Sequence, residues 1–305
     1  MLRYVARRLL TAIPVLWIIV TITFFMMRLA PGGPFSRERV MPIEVQKMIE
    51  ERYHLDEPLV KQYFRYMGNL LRGDLGPSFR YKDRSVNEIL AAGLPTTLQL
   101  GALALLFALL VGIPAGCLAA FRQNSAVDYA AMSFSMVGVS VPNFVVLSTL
   151  IYFFAVKLKI LTVSGWGRWD QMICPVVALG LMYSAYIARL SRAGMLEVIR
   201  QDFIRTARAK GLPERLVIIR HSIKAGLLPV VSFLGPARAA ILTGSLIIET
   251  ISGVPGIGRE FVNSALNRDY TLTIGTVILY SGFLIIFNLA VDIVYAFLDP
   301  RIVYE

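Results

Sequence analysis

Six apolar runs, five uncharged and one carrying a single arginine, dominate this chain and limit what it can fold into. They are Leu9 to Met27, Ile89 to Phe121, Tyr129 to Val156, Gln171 to Ala188, Ala225 to Ala237 continued past Arg238 to Ile248, and Tyr270 to Val291. Each reaches or approaches the ~20 residues a helix needs to cross a bilayer. With 56% hydrophobic and 17% charged residues, the composition lies outside that of soluble domains. The expected fold class is an all-α polytopic membrane protein with six transmembrane helices.

Orientation follows from Lys and Arg in the short flanks. With the amino terminus inside, the inner flanks hold Arg3, Arg7 and Arg8, then Arg122, then nine basic residues between Arg189 and Lys224, then Arg301. The short outer loops hold only Lys157, Lys159 and Arg168, then Arg259 and Arg268. Both termini are therefore expected in the cytoplasm. The basic start followed by Leu9 to Met27 has the outline of a secretory signal, but the apolar run is too long and Arg28-Leu29-Ala30-Pro31 offers no small-x-small cleavage site. An uncleaved first span is expected.

The inner loop at residues 189–224 carries nine basic and three acidic residues. Arg205-Thr206-Ala207-Arg208-Ala209-Lys210 contains no helix breaker and predicts a short helix, which Gly211 ends in a left-handed cap. Pro213 can open a second helix, on which Leu212, Leu216, Ile219 and Ile223 form an apolar stripe. Charge alone fits either a membrane flank or a docking element.

Residues 30–93 are polar, predicted outside, and expected to form a small helical domain. Pro42 opens a run with Val45, Met48, Ile49 and Tyr53 on one face. Asp56 is a candidate N-cap for a second helix with Leu59, Tyr63, Phe64, Met67, Leu70 and Leu71 as its apolar face. Gly73-Asp74-Leu75-Gly76 reads as a turn, and Ser85-Val86-Asn87-Glu88 fits a capping box.

Within the spans, Gly112 and Gly116 form a G-x-x-x-G pair, and Gly180, Gly235 and Gly244 add small contacts suited to a packed bundle and a partner subunit. Arg238 is the one charge deep within a predicted span. It is either a group lining a passage, where it would meet a peptide carboxylate or carbonyl, or a structural charge. Asp292 near the end of the last span reads as a structural cap or pair. Cys117 and Cys174 lie in or beside spans and read as packing residues.

No enzyme assembles readily from these residues. His54 and His221 have no metal-ligand partners at suitable spacing, so neither a metal nor a cofactor is expected. There is no G-x-x-x-x-G-K-[ST], so any ATP chemistry must come from partner chains. The glycines of Glu249-Thr250-Ile251-Ser252-Gly253-Val254-Pro255-Gly256-Ile257-Gly258 follow no strand, which excludes a dinucleotide loop. A proton-coupled transporter would want carboxylates mid-span, and an intramembrane protease a Ser–His or paired-Asp site; neither is found. The net charge of +11 resides in membrane flanks and the inner loop, so no nucleic-acid partner is expected.

Several motifs together resemble one family. RRLLTAIPVL at residues 7–16 with FFMMRLAPGGP, then His54-Leu55-Asp56-Glu57-Pro58 with Gly73-Asp74-Leu75-Gly76-Pro77-Ser78, are similar to the peptide and nickel branch of the ATP-binding-cassette (ABC) importer permeases. The inner loop resembles that family's coupling loop, whose motif is Glu-Ala-Ala, three residues, then Gly. Ala207 and Gly211 sit at the motif's spacing, with Arg205 in place of Glu, Thr206 in place of the first Ala, and Leu228-Pro229 later than in the general pattern. Glu249, Gly253, Pro255, Gly256 and Gly258 resemble the segment at the external gate, and Asp292, Tyr295 and Asp299-Pro300-Arg301 the closing pattern.

The resemblance is to the B-type subunits of bacterial oligopeptide importers. It implies a type I, MetI-like core at residues 94–293 after an N-terminal helix at 1–29 and a periplasmic insertion at 30–93, with a cytoplasmic tail at 294–305. It also implies the bacterial inner membrane, a second permease subunit forming a heterodimer, two cytoplasmic ATPase subunits, and a periplasmic or lipid-anchored peptide-binding protein. The substrate implied is an oligopeptide, moved by alternating access; dipeptides, nickel chelates or another solute are the alternative.

Overall fold

The computed structural model describes residues 2–29, 48, 51 and 53–298. The helix expected from Pro42 through Val45 and Ile49 lies outside the described residues, as do Asp299-Pro300-Arg301 and the side chains of Asp292 and Tyr295. The described elements are helical: α1 (Leu2–Leu29), α2 (Leu59–Leu71), α3 (Val86–Phe121), α4 (Ala126–Ser140), α5 (Asn143–Lys157, π-helical over Ile151–Lys157), α6 (Trp169–Ile199) and α7 (Asp202–Ala209). Three consecutive turns, Glu214–Leu216, a π-helical Val217–Ser222 and Ile223–Gly226, make up α8. Then come α9 (Leu228–Ser252), α10 (Ile257–Asn267) and α11 (Tyr270–Leu298).

Five of these helices are long and apolar enough to cross a membrane, and the α4–α5 pair passes the same test as a sixth. The third apolar run is not one straight span, however. It bends by 104° between α4 and α5, where Pro142 serves as the N-cap of α5. Proline removes a backbone donor and restricts the residue before it, and the extended Val141 (ψ 123) shows that restriction.

The chain divides into two compact units, Met1–Thr96 with Pro255–Ile285, and Thr97–Val254 with Ile286–Glu305. In the second unit α6 is the central element, packed against α4, α5, α8 and α9. Its core includes Leu100, Leu147, Leu179, Ile187, Ile241 and Ile248. Cys174 belongs to the same cluster and Cys117 is buried in a neighbouring one, both as free thiols.

The glycine pair is used inside this chain. A Cβ on Gly116 would lie 2.2 Å from the Ala188 carbonyl oxygen, one on Gly112 would lie 2.6 Å from that of Ser184, and one on Gly180 2.6 Å from that of Ala104. The three glycines bring α3 and α6 backbone to backbone, the close approach that small residues permit between membrane helices. Gly116→Val should therefore destabilise the bundle by more than the ~1–3 kcal/mol of ordinary overpacking. Gly101→Ala, whose Cβ meets the flexible tip of Leu242 at 3.1 Å, should be much milder. Thermal unfolding in detergent, compared between the two variants, checks this.

In the first unit α1 packs on α2 and the start of α11 through Val20, Phe24, Tyr63, Tyr66 and Ile274. Tyr63 stacks on Phe25 and meets Phe24 edge-on, both with centroids 5.5 Å apart. The face of α2 is the expected one in part: Tyr63, Met67 and Leu70 pack in this cluster. Gln62, Tyr63 and Tyr66 are buried, whereas Leu59, Phe64 and Leu71 are exposed, because the aromatic side of α1 selects residues 63 and 66. Pro58, not Asp56, occupies the N-cap of α2.

The turn at 73–76 has left-handed glycines at both ends (φ +78 and +87), and Asn87 clasps it by accepting from the Leu75 N–H at 2.9 Å. The capping box forms at the start of α3, with Glu88 N–H donating to Ser85 Oγ and Ser85 N–H to Glu88 Oε2, both at 3.2 Å. Asp269 caps α11, accepting from the Leu272 N–H at 3.2 Å and from the Ser78 hydroxyl, which ties the 77–79 strip to that helix start.

Candidate functional site

The inner loop folds as a small core of its own. From the end of α6 the chain turns through Arg200 and Gln201 into α7, which buries Ile204 and Ala207 against Val198 of α6 and Val217 of α8. Leu212 and Ala225 pack on the same cluster. Ala207 thus has a steric role: it is 6% exposed in a pocket bounded by two other helices, where a larger side chain would have to displace Val198 or Val217.

Gly211 follows α7 with φ +74 and its N–H donating to the Arg208 carbonyl at 2.9 Å. A Cβ there would meet nothing within 4 Å, so conformation and not space selects glycine. Arg208 bridges the turn, donating to both carboxylate oxygens of Glu214 at 2.6 and 3.1 Å. The paired guanidinium holds the Glu214 carboxyl below the usual carboxylate range. Pro213 is the N-cap of α8, one residue before the position expected for it.

Only half of the apolar stripe expected on the second helix faces inward, with Leu212 and Ile223 packed on buried clusters. Leu216 and Ile219 are exposed, while Val217 and Ser222, five residues apart, are buried. The π turn is the reason. Ser222 Oγ donates to the Val217 carbonyl at 3.2 Å, and the wider turn advances the buried face by five residues instead of three or four.

Two glycines carry the loop onto the spans. A Cβ on Gly194 of α6 would lie 2.2 Å from the Gly226 carbonyl oxygen, and one on Gly226 2.4 Å from the Met195 sulfur. Leu228 and Pro229 open α9 directly afterwards, with Pro229 in the first turn where its missing N–H is harmless. Arg192, two turns before the end of α6, donates to both oxygens of Asp128 on α4 at 2.6 and 2.8 Å. The outward face of α7 presents Asp202, Phe203, Arg205, Thr206, Arg208 and Lys210. Among the described residues Arg205 reaches only Asp202, at 3.4 Å, and Thr206 donates back to the Asp202 carbonyl at 2.9 Å.

The segment likened to an external gate starts inside a helix. Glu249 lies in the last turns of α9, fully buried, and accepts from Ser245 Oγ at 2.8 Å. Gly253 ends α9 in the left-handed region (φ +65), and the Val254 N–H returns to the Glu249 carbonyl at 3.0 Å. Pro255 is exposed, Gly256 is the N-cap of α10, and Gly258 is buried in its first turn.

Arg238 lies at the middle of α9 on its exposed side, lining a cleft of about 320 Å³ with Leu98, Gly101, Leu105, Ile241 and Phe287. No ion-pair partner for it occurs among the described residues.

Sequence reasoning placed Ala207 and Gly211 in this loop but missed Ile204, Val217, Gly194, Gly226 and the Asp128–Arg192 pair. A glycine on either side of a basic loop was the available signal for the crossing. The ion pair spans 64 residues and left no local pattern.

Residues 112–304 match the family described as the binding-protein-dependent transport system inner membrane component, and residues 1–101 match its N-terminal region. The chain is 53% identical to the oligopeptide transport system permease protein OppB of Salmonella typhimurium, with all of both chains covered. It is 43% identical to the dipeptide transport system permease protein DppB of Bacillus subtilis, covering 99% of this chain and 98% of that one. Among solved structures, the inward-facing MetNI methionine ABC transporter superposes with a TM-score of 0.57 at 18% identity, over 68% of this chain and 94% of that one. An amino acid ABC transporter superposes with a TM-score of 0.54 at 21% identity, over 71% and 95%. At these identities the two structures speak to the fold alone.

Proposed function

The chain belongs to the binding-protein-dependent transport system inner membrane components, and from that premise we propose that it is the permease subunit through which an ABC importer moves oligopeptides into the bacterial cytoplasm. The observation that carries the reading is the 53% identity, end to end, with a permease named for oligopeptides, against 43% with one named for dipeptides. The working complex consists of this chain, a second and different permease subunit, two cytoplasmic ATPases and an external peptide-binding protein. Both termini and the α7 loop face the cytoplasm of the inner membrane.

The loop supplies the mechanical link. The exposed face of α7 seats in a groove on an ATPase subunit. Behind it, the Ile204–Ala207–Val217 core and the Gly194–Gly226 crossing make the loop one body with the ends of α6 and α9. When ATP closes the ATPases, α7 moves and those two spans move with it, so that the path opens alternately to either side. Arg205, standing where related loops carry Glu, reverses the charge pairing with the ATPase groove. The Glu249 to Gly258 segment borders the external gate.

Arg238 lines the passage, where its guanidinium meets a peptide carboxylate or carbonyl. An arginine mid-span is expensive against lipid, by at least ~2.5 kcal/mol on insertion scales, which favours a wetted or partnered position. Arg238→Ala should lower uptake of peptides with a free carboxyl terminus by about tenfold, the weight of one charge-assisted hydrogen bond. Unchanged uptake across peptides would remove Arg238 from the pathway.

The function itself is tested by tagging the chain and asking what copurifies. Two ATPases and a second permease are expected, and purification alone with transport activity would overturn the reading. Growth on toxic peptide analogues of graded length then separates an oligopeptide importer, sensitive to tetra- and pentapeptides, from one limited to dipeptides.

A further inference from the structure

We propose that the first unit holds a binding site for a phosphate-class oxyanion, formed by Arg28 at the end of α1, Arg65 and Tyr66 on α2, and the start of α11. The site is a pocket of about 130 Å³ lined by these three residues with His54, Asn69 and Thr271 among others. Three of its donors are buried with no hydrogen-bond partner among the described residues: Arg28 Nε, Arg65 Nη1 and the Tyr66 hydroxyl. Tyr66 is 9% exposed, and burial pushes its phenol above the ordinary value, so the hydroxyl stays a donor at any working pH.

Buried donors left unpaired are costly, and three on side chains that line one pocket point to what would satisfy them. The charges agree. No acid lines the pocket among the described residues. Of the acids behind it, Glu57 is shared by Arg65 at 2.7 Å and Lys61 at 3.2 Å with its Oε2 left unpaired among the described residues, Asp269 accepts from the Phe79 N–H and the Thr271 hydroxyl, and Asp74 lies near Tyr66. Arg28 has Gln62 as a neutral acceptor and rests on the rings of Phe24 and Tyr270 at 5.3 and 5.5 Å, with no carboxylate of its own among the described residues. Among the described residues the lining itself therefore carries two guanidiniums, no acid and an excess of N–H and O–H donors, the complement of an oxyanion.

Its position brings a phospholipid headgroup within reach. The Tyr63 hydroxyl meets Thr21 Oγ1 at 2.8 Å, so α2 lies alongside the last two turns of the apolar α1 span. The outward side of α2 carries Val60, Phe64 and Leu71, each more than 60% exposed, and Met26 and Leu29, near Arg28 on α1, are exposed as well. A cation pocket edged by apolar side chains at the end of a span suits a lipid phosphate with its chains against α1; free phosphate offers the same chemistry without the chains.

Thermal unfolding of the full-length protein in its complex, delipidated in detergent, distinguishes the cases. The probes are inorganic phosphate and short-chain phosphatidylglycerol, with short-chain diacylglycerol as the control without phosphate. Saturable stabilisation by phosphatidylglycerol alone assigns the pocket to lipid, and stabilisation by inorganic phosphate as well assigns it to any phosphate-class anion. Tyr66→Phe, which removes one hydroxyl and keeps the ring, should weaken either response about tenfold. Arg65→Gln should weaken it further. Equal responses in wild type and Tyr66→Phe, or no response to either phosphate probe in the folded protein, would overturn the proposal and leave the pocket to water.

Discussion

Gly211→Pro abolishes peptide uptake, to below about 1% of wild type, while the protein still reaches the membrane and still binds its second permease. The native residue sits at φ +74, and proline is held near −65°, so the turn between α7 and α8 cannot close. The substitution also deletes the N–H that donates to the Arg208 carbonyl. With the turn opened, Arg208 and Glu214 no longer meet across it and α7 loses its fixed relation to α8. The spans keep their own contacts, which is why insertion survives and transmission does not.

A graded series separates conformation from mere disturbance. Because no atom lies within 4 Å of a Cβ at this position, a side chain is resisted only by backbone strain, about 1–2 kcal/mol for an ordinary residue in the left-handed region. Asn, which tolerates that region, should retain most uptake; Ala should be intermediate; Val and Pro should be nearly inactive. Labelled-peptide uptake in vesicles, normalised to the amount of assembled complex, gives the order. Normal uptake by the proline variant would sink the coupling role of this loop.

What the sequence disclosed, and what it hid, follows from the range of each interaction. The spans were legible because each is a run of adjacent residues, and Gly211 because a glycine after Arg208-Ala209-Lys210 has one common use. The capping box at Ser85 and the turn at Gly73 to Gly76 are likewise complete within four residues. The bend at Pro142 had its proline in view, but Val145 to Val156 continued the apolar run and hid the break. The buried face of α8 was misread because the 3.6-residue period was applied across a π turn, where Val217 and Ser222 keep a spacing of five. On α2 the period found Tyr63, Met67 and Leu70, but the choice of Tyr66 in place of Leu59, Phe64 and Leu71 was decided by Phe24 and Phe25, some forty residues away. Arg238 was legible as an oddity from its charge alone, and the structure added the cleft around it.

A large loss of stability is also expected from a pair the sequence did not reveal. Asp128 is buried on the first turn of α4, and Arg192 on α6 binds both its oxygens while keeping 26% of its own side chain exposed. Asp128→Ala leaves that guanidinium facing a buried gap and removes the acceptor for the Asn124 N–H. Breaking one side of a buried pair costs about 3–5 kcal/mol, and the partial exposure of Arg192 brings the expected figure to about 2–3. Arg192→Met alone should cost a similar amount by stranding the carboxylate. The double variant Asp128→Leu/Arg192→Met should recover most of the stability, since replacing both charges with apolar groups removes the desolvation along with the attraction. Transport need not recover with it. The pair ties α4 to α6 close to where the Gly194–Gly226 crossing joins α6 to α8, so it also fixes which helices follow the loop when α7 moves. Thermal unfolding close to wild type together with reduced uptake in the double variant would assign the pair to coupling, and equal recovery of both would confine it to stability.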